Sequence, residues 1–325
     1  MMKPHLLVAG NIHEAGLRLL ETQTDVTYDY VPDLLYGSYA SLMPKADGLV
    51  VRTQPVRADT IESAPRLKIV SRHGVGYDAV DVEALNTRKI PLAIVGDVNS
   101  RAVAEHAMML LLGLSKKIRI YDHAVRNGDW NQRNRFDALE LFEKTLLIVG
   151  LGRIGRHLLS MARGFRMTIL AYDPGLSPEA IKQCGAEPVV SLHEGLSRAD
   201  LVSLHAPKTG DRPLISKVEL AAMRSTAILV NTARGGLIDE EALVDALETK
   251  RLRGAGLDVF EEEPLSASSA LLFRDDVILT PHTASLTTES AIRMAVTSIQ
   301  NALDCFAGKL DPALVVNRDA IGFKN

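Results

Sequence analysis

The stretch Leu146–Asp173, LLIVGLGRIGRHLLSMARGFRMTILAYD, constrains the fold of this chain more than any other. An apolar run over Leu146–Val149 leads into Gly150, Gly152 and Gly155, spaced G-x-G-x-x-G. An amphipathic segment follows with Leu158, Leu159 and Ala162 at helical spacing, and then a β-rich run, Thr168–Tyr172, that ends in Asp173. Strand, glycine turn, helix, strand and acid in this order make a βαβ unit that binds a dinucleotide. Gly150 permits the tight turn and Gly152 lets a pyrophosphate approach the backbone. Gly155 lets helix and strand pack closely, with the helix N-terminus facing the anion. Asp173 stands where a ribose 2′-hydroxyl needs an acceptor, and its charge repels a 2′-phosphate. Pro174 and Gly175 supply no basic side chain to offset that charge, so NAD is the expected cofactor.

The rest of the chain repeats the alternation of short β-type runs and helical segments. Before residue 100 the runs are His5–Ala9, Val26–Tyr30, Gly48–Arg52, Leu67–Ser71 and Leu92–Val95, separated by patterns such as Ile12–Leu20 and Asp59–Ala64. They lack strict polar alternation, as strands covered on both faces do, and predict a five-stranded parallel sheet. From Leu146 onward six runs centre near Ile148, Leu170, Val202, Leu229, Leu257 and Ile278, the number of a complete doubly wound nucleotide fold. Asp239 is placed to cap a helix over the following residues to Leu247. A long helix is expected from Ser100 towards Tyr121, apolar nearly all round between Val103 and Leu114, and therefore buried in a core or at an interface. Gly128 and Asp129 mark a loop that holds Trp130. A last helix, about Thr288–Phe306, and the tail Ala313–Asn317 are placed to return to the first sheet.

Composition narrows the function. At 325 residues, 46% hydrophobic and 24% charged, the chain has the profile of a globular protein with room for two domains. A net charge of −3 gives no cationic field for nucleic acid. Met108–Leu114 is too short to span a bilayer and the apolar N-terminal stretch too short for a signal peptide. Cys184 and Cys305 show no metal or redox spacing. A cytoplasmic protein with no membrane partner and no metal is expected.

Three polar segments follow late strands, where doubly wound sheets bind their ligands. They are Asn231–Gly236 with Arg234, Glu261–Glu263 before Pro264, and Pro281–His282. Arg234 presents a fork of donors that can hold a substrate carboxylate and polarise the adjacent carbonyl. His282 can give or take the proton that accompanies hydride transfer, and a neighbouring glutamate would orient it.

With these residues in place, the chain resembles the D-isomer-specific 2-hydroxyacid dehydrogenase family, which includes 3-phosphoglycerate, glyoxylate/hydroxypyruvate and D-lactate dehydrogenases. The matching motifs are RHGVGYDAVD (Arg72–Asp81), VAEH (Val103–His106), VGLGRIG (Val149–Gly155), NTARGGLIDEEAL (Asn231–Leu243), GLDVFEEEP (Gly256–Pro264) and PHTA (Pro281–Ala284). The resemblance implies a catalytic set of Arg234, Glu263 and His282, the glutamate being the one directly before the proline. It implies that Arg153 and Ile154 of the glycine motif, His205, Ala206, Pro207, Thr232, Ala233 and Ala284 line the cofactor groove, with Asp258 holding the nicotinamide carboxamide. Amides near Val75 and Gly76 would take the substrate carboxylate. Arg52 and Arg72, after N-terminal strands, are candidates for a second anionic group, as in the 3-phosphoglycerate branch.

The expected fold is α/β with two doubly wound parallel sheets and a cleft between them. One domain is a flavodoxin-like substrate domain (1–99 plus 288–325), the other a Rossmann NAD-binding domain (100–287). The expected function is NAD-dependent oxidation of a D-2-hydroxy acid or reduction of a 2-keto acid, by a homodimer acting on a small molecule. 3-Phosphoglycerate and hydroxypyruvate or glyoxylate are the candidate substrates. The alternative on the same fold is an NAD(H)-sensing, corepressor-like binding protein.

Overall fold

The computed structural model describes residues 3–33 and 35–324. Five apolar runs near the N-terminus form parallel strands: β1 His5–Ala9, β2 Thr27–Val31, β3 Gly48–Val51, β4 Ile69–Arg72 and β5 Leu92–Ala93. Their side chains alternate between two dry faces. Leu7, Ala9, Leu49, Val51 and Val70 enter one core; Leu6, Val8, Val50 and Ile69 enter another. Burial on both faces explains why the sequence shows continuous apolar runs. The order β2-β1-β3-β4-β5 is the flavodoxin-like one.

The C-terminus completes this unit. Thr287 caps helix Thr288–Phe306 by accepting from the Ser290 amide. Ala295, Ile299 and Ala302 then enter the second core, and Ser71 Oγ donates to Ser298 O at 2.8 Å. Beyond it Val315 bridges Ala93 antiparallel, and the Val316 amide donates to Leu92 O at 2.9 Å. The chain accordingly divides into one compact unit of Met1–Asn99 with Leu286–Asn325 and a second of Ser100–Ser285.

The second unit holds seven parallel strands: β6 Thr145–Val149, β7 Thr168–Tyr172, β8 Glu187–Pro188, β9 Leu201–Leu204, β10 Ile228–Asn231, β11 Gly254–Leu257 and β12 Val277–Leu279. The order is β12-β11-β10-β9-β6-β7-β8, a Rossmann arrangement with one strand beyond the usual six. The unexpected strand is β8, a two-residue edge piece ending in Pro188 with no apolar run to announce it. Again the strands serve two cores: Leu147, Val149, Val202 and Leu229 face one, Leu146, Ile148, Leu201 and Ile228 the other.

Helix Ser100–Ser115 covers the second of these cores with Ala104, Ala107, Leu110, Leu111 and Leu114. It stops short of the expected Tyr121. The Ser115 carbonyl accepts from the Leu139 amide at 2.8 Å instead of continuing the helical ladder, and Lys117 turns left-handed at φ 53°. A separate helix, Ile118–Arg126, then buries only Ala124. Trp130 lies in a 3-10 turn, Trp130–Arg135, rather than in a plain loop. Among the described residues no helix is long and apolar enough to cross a membrane, and no group of side chains could hold a metal ion.

Candidate functional site

The glycine turn joins β6 to helix Arg153–Arg163. Gly150 sits at φ +94°, and a Cβ there would lie 2.8 Å from His205 O, so only glycine lets the end of β9 pass this close. A Cβ on Gly155 would meet Gly150 O at 2.3 Å, which is how helix and turn come into contact. Gly152 differs: a Cβ there would meet nothing within 4 Å, and Gly152 caps the helix without a side-chain hydrogen bond. The first-turn amides of this 11-residue helix have no intrahelical partner, and the partial positive charge of the helix N-terminus lies behind them. Arg153 is exposed and Ile154 half-buried beside this turn.

Asp173 follows β7, fixed by two amides. Its carboxylate accepts from Leu151 N at 2.8 Å and from Gly175 N at 2.9 Å. The acid is thus tied to the glycine turn, and a group bound along the turn meets a negative charge of set position. Two buried polar atoms of the expected groove have no partner among the described residues: His205 Nδ1 and Thr232 Oγ1. First-turn amides, a fixed acceptor and orphaned polar atoms along one sheet edge fit a dinucleotide. Ala206 and Pro207 directly follow His205, Ala233 follows Thr232, and Ala284 is buried at 4% exposure.

The strand ends after β10, β11 and β12 are adjacent because the strands are. After β10, Asn231 bridges its own loop, accepting from Ala233 N at 3.0 Å and donating to Arg234 O at 2.8 Å. This buried side chain holds the backbone of Arg234, whose guanidinium reaches Ala233 O at 2.7 Å. A Cβ on Gly235 would lie 1.6 Å from Phe260 O, so this loop runs against the one after β11. In that second loop Glu261 N donates to Glu240 Oε1 at 2.7 Å and Glu240 N reaches back to Glu261 Oε1 at 3.4 Å. Burial, with the charges of Glu261 and Glu263 nearby, pushes the Glu240 carboxyl up from the ordinary carboxylate range. Asp239 caps helix Glu240–Glu248 from the same edge.

Of the three consecutive glutamates, Glu263 faces the histidine. Its Oε1 accepts from Phe260 N at 3.1 Å and its Oε2 lies 2.7 Å from His282 Nδ1. An ionised carboxylate only accepts, so Nδ1 carries the proton and Nε2 is the end left for a ligand. The histidine side chain is 55% exposed and thus open to one. Asp258, at 0% exposure, lies beneath the histidine loop. Its carboxylate accepts from Thr280 Oγ1 at 2.6 Å, Thr283 N at 2.9 Å and Ala284 N at 2.9 Å. The resemblance implies only a cofactor contact for Asp258; in the structure its carboxylate also anchors the histidine loop.

In the first unit, Arg52 Nη1 donates to Asn11 O at 2.8 Å and Arg72 Nη1 to His73 O at 2.9 Å. The motif after β4 turns at Gly74, φ +151°, and the amides of Val75 and Gly76 donate to no backbone carbonyl among the described residues. Buried His73 has its pKa lowered to about 4 by burial and then by the charges of Arg52 and Arg72. Burial alone lowers His205 to about 4. Both imidazoles therefore stay neutral in the folded chain while an unfolded chain protonates them near pH 6.5. The unfolded state binds the extra protons between these values, so stability is full above pH 6.5 and falls as pH drops towards 4, by up to about 3 kcal/mol per residue. His73→Gln should flatten the decline of melting temperature over that range; an unchanged slope would contradict the burial of a neutral ring.

With this geometry established, the comparisons with known proteins agree on one family. The model of the D-isomer specific 2-hydroxyacid dehydrogenase NAD-binding domain matches residues 108–284. D-3-phosphoglycerate dehydrogenase of Methanocaldococcus jannaschii is 40% identical over 88% of this chain, which spans 54% of that protein. Glyoxylate reductase of Pyrococcus furiosus is 37% identical over 98% of this chain and 97% of its own length. D-lactate dehydrogenase of Aquifex aeolicus, solved with NAD and lactic acid, superposes with a TM-score of 0.86 at 26% identity, covering 96% of this chain and 98% of that one. The chain thus spans little more than half of the phosphoglycerate dehydrogenase and nearly all of the other two. It belongs to the D-isomer-specific 2-hydroxyacid dehydrogenase family, whose NAD-binding domain is the unit that carries Arg234, Glu263 and His282.

Proposed function

We propose that the protein is an NAD-dependent D-2-hydroxyacid dehydrogenase that reduces a 2-keto acid in the reverse direction. The observation that carries this reading is the 2.7 Å contact between His282 Nδ1 and Glu263 Oε2 at the sheet edge that holds the glycine turn. NADH, when bound, supplies the hydride that reduces C2. Arg234 holds the substrate carboxylate and carbonyl oxygen with its fork of donors. His282 Nε2 gives its proton to the carbonyl oxygen, and in the oxidising direction takes it back. Glu263 accepts from Nδ1–H and aims the ring, so that Nε2 faces the carbonyl oxygen. The first unit would be the substrate domain, with the Val75 and Gly76 amides on the carboxylate and Arg52 and Arg72 on a second anionic group. Hydroxypyruvate, glyoxylate and a phosphorylated hydroxy acid are the substrates this set favours. A non-catalytic NAD sensor has no counterpart among the relatives described above, which are dehydrogenases and reductases. NADH oxidation across a panel of 2-keto acids tests the reading, and no turnover with any of them would overturn it.

Cofactor choice rests on Asp173. A ribose hydroxyl that donates to a fixed carboxylate is worth about 10- to 100-fold in affinity, and a 2′-phosphate at the same place is repelled. Asp173→Ala should therefore lower the ratio of NADH to NADPH efficiency by about that factor; an unchanged ratio would remove Asp173 from this role.

The protein acts, we infer, as a cytoplasmic homodimer. Met109, Ile118, Val125, Trp130, Phe136 and Phe142 are all exposed within one segment, Trp130 at 67% and Phe136 at 89%. Exposed apolar area of this kind marks an association surface. Wild type should sediment as a dimer and the Trp130→Glu, Phe136→Asp variant as a single chain; a wild-type mass of one chain would refute the dimer.

A further inference from the structure

His282 adopts a left-handed backbone conformation, φ +52°, which is unfavourable for a residue with a Cβ and persists only where neighbours enforce it. The enforcement comes from both sides of the residue. The His282 amide donates to Asp258 O at 2.9 Å, and Asp258 Oδ1 takes the Thr280 hydroxyl on one side and the Thr283 amide on the other. A second histidine, His106, reaches this anchor from helix Ser100–Ser115. Its Nε2 lies 2.9 Å from Thr280 Oγ1 and 3.6 Å from Asp258 Oδ1.

The proton order in this chain follows from the chemistry of its ends. The Asp258 carboxylate accepts only, so Thr280 spends its one proton on it. Thr280 Oγ1 has then only lone pairs to offer, and His106 must be the donor through Nε2–H. Burial holds His106 below the ordinary histidine range, against the opposing pull of Asp258, so the neutral Nε2–H tautomer is the form present at neutral pH. The Asp258 side chain is 1% exposed, and a buried carboxylate short of a donor is costly.

We propose that His106 and Thr280 are positioning residues for the reaction, a two-step hydrogen-bond chain that holds Asp258 and, through it, sets His282 Nδ1 on Glu263. His106 touches neither substrate nor cofactor in this role. Its contribution is the angle and reach of another residue's imidazole, supplied from a helix distant in sequence. The proposal rests on His282 as the proton donor, and its test therefore includes a readout independent of turnover.

Three variants test it: His106→Phe keeps ring volume without the donor, His106→Gln restores an N–H of similar reach, and Thr280→Val removes the link. The rate at which diethyl pyrocarbonate modifies His282 is read by peptide mass spectrometry, together with kcat, the KM of the keto acid and the NADH dissociation constant. Losing one hydrogen bond of a charged network predicts kcat lower by about tenfold in His106→Phe and Thr280→Val, with NADH affinity within about twofold. Modification of His282 should quicken by a similar factor, and His106→Gln should recover most of both. Because the two groups act in series, the double variant should lose no more than either single one. Independent losses in the double variant, no rescue by glutamine, or an unchanged modification rate would each overturn the proposal. A wild type without turnover would refute the dehydrogenase reading instead and leave the modification rates to decide this one.

Discussion

Replacing His282 with asparagine should lower turnover by about 10²- to 10⁴-fold at every pH while NADH binds within about twofold of wild type. Asparagine tolerates the left-handed conformation that His282 adopts, so the loop keeps its shape and the effect reports the lost proton donor. The size is set by what general acid catalysis contributes when the donor is positioned, and Glu263 at 2.7 Å positions this one. A structural histidine in a turn would behave differently, losing melting temperature and sparing turnover. Glu263→Gln should be the milder companion. It keeps a hydrogen-bond acceptor for Nδ1–H without the charge, so kcat should fall by about tenfold while NADH affinity holds. Comparing kcat of the two variants separates the lost donor from the lost charge.

Arg234→Lys is the second large effect, with kcat/KM for keto-acid reduction expected to fall by about 10²- to 10⁴-fold. Two charge-assisted hydrogen bonds to a carboxylate and a carbonyl are each worth about 1.5–3 kcal/mol, and a lysine ammonium cannot reproduce the planar fork. The backbone should not move, because Asn231 holds the Arg234 carbonyl and Gly235 still lies against Phe260 O. NADH affinity should therefore survive. If lysine at this position retained wild-type efficiency, Arg234 would be a capping residue of its loop and not the carboxylate clamp.

Much of the architecture was legible because each sheet is buried on both faces. The runs at Leu146–Val149 and Ala227–Val230 had to be continuous to serve two cores, and continuous runs are what sequence shows best. Asp239 announced its helix because capping is local in sequence. The edge strand β8 did not, since two residues ending in proline carry no pattern. Nor did the break after Ser115, which depends on a hydrogen bond to Leu139 from beyond the next helix. In the candidate site, Arg234, the run Glu261–Glu263 and His282 stood out as polar interruptions at strand ends, and the family resemblance picked Glu263 from the run. Their supports did not: Asn231 stood in a polar segment with nothing to show that its amide would bridge Ala233 and Arg234, and Glu240 reads as an ordinary first-turn acid. His106 lay in a recognisable motif, but nothing near it in sequence points to Thr280 as its partner. Residues that react sit at recognisable places, while residues that hold them are defined by contacts the sequence does not display.

The central claim is that this sheet edge transfers hydride between NAD and C2 of a hydroxy acid with His282 as proton donor. Turnover of glyoxylate, hydroxypyruvate and its phosphorylated form with NADH deuterated at C4 tests it directly. Deuterium is expected at C2 of the product, with D configuration for the chiral products, and labelled product should form about 10²- to 10⁴-fold more slowly in His282→Asn. NADH bound without transfer of deuterium to any 2-keto acid would contradict it.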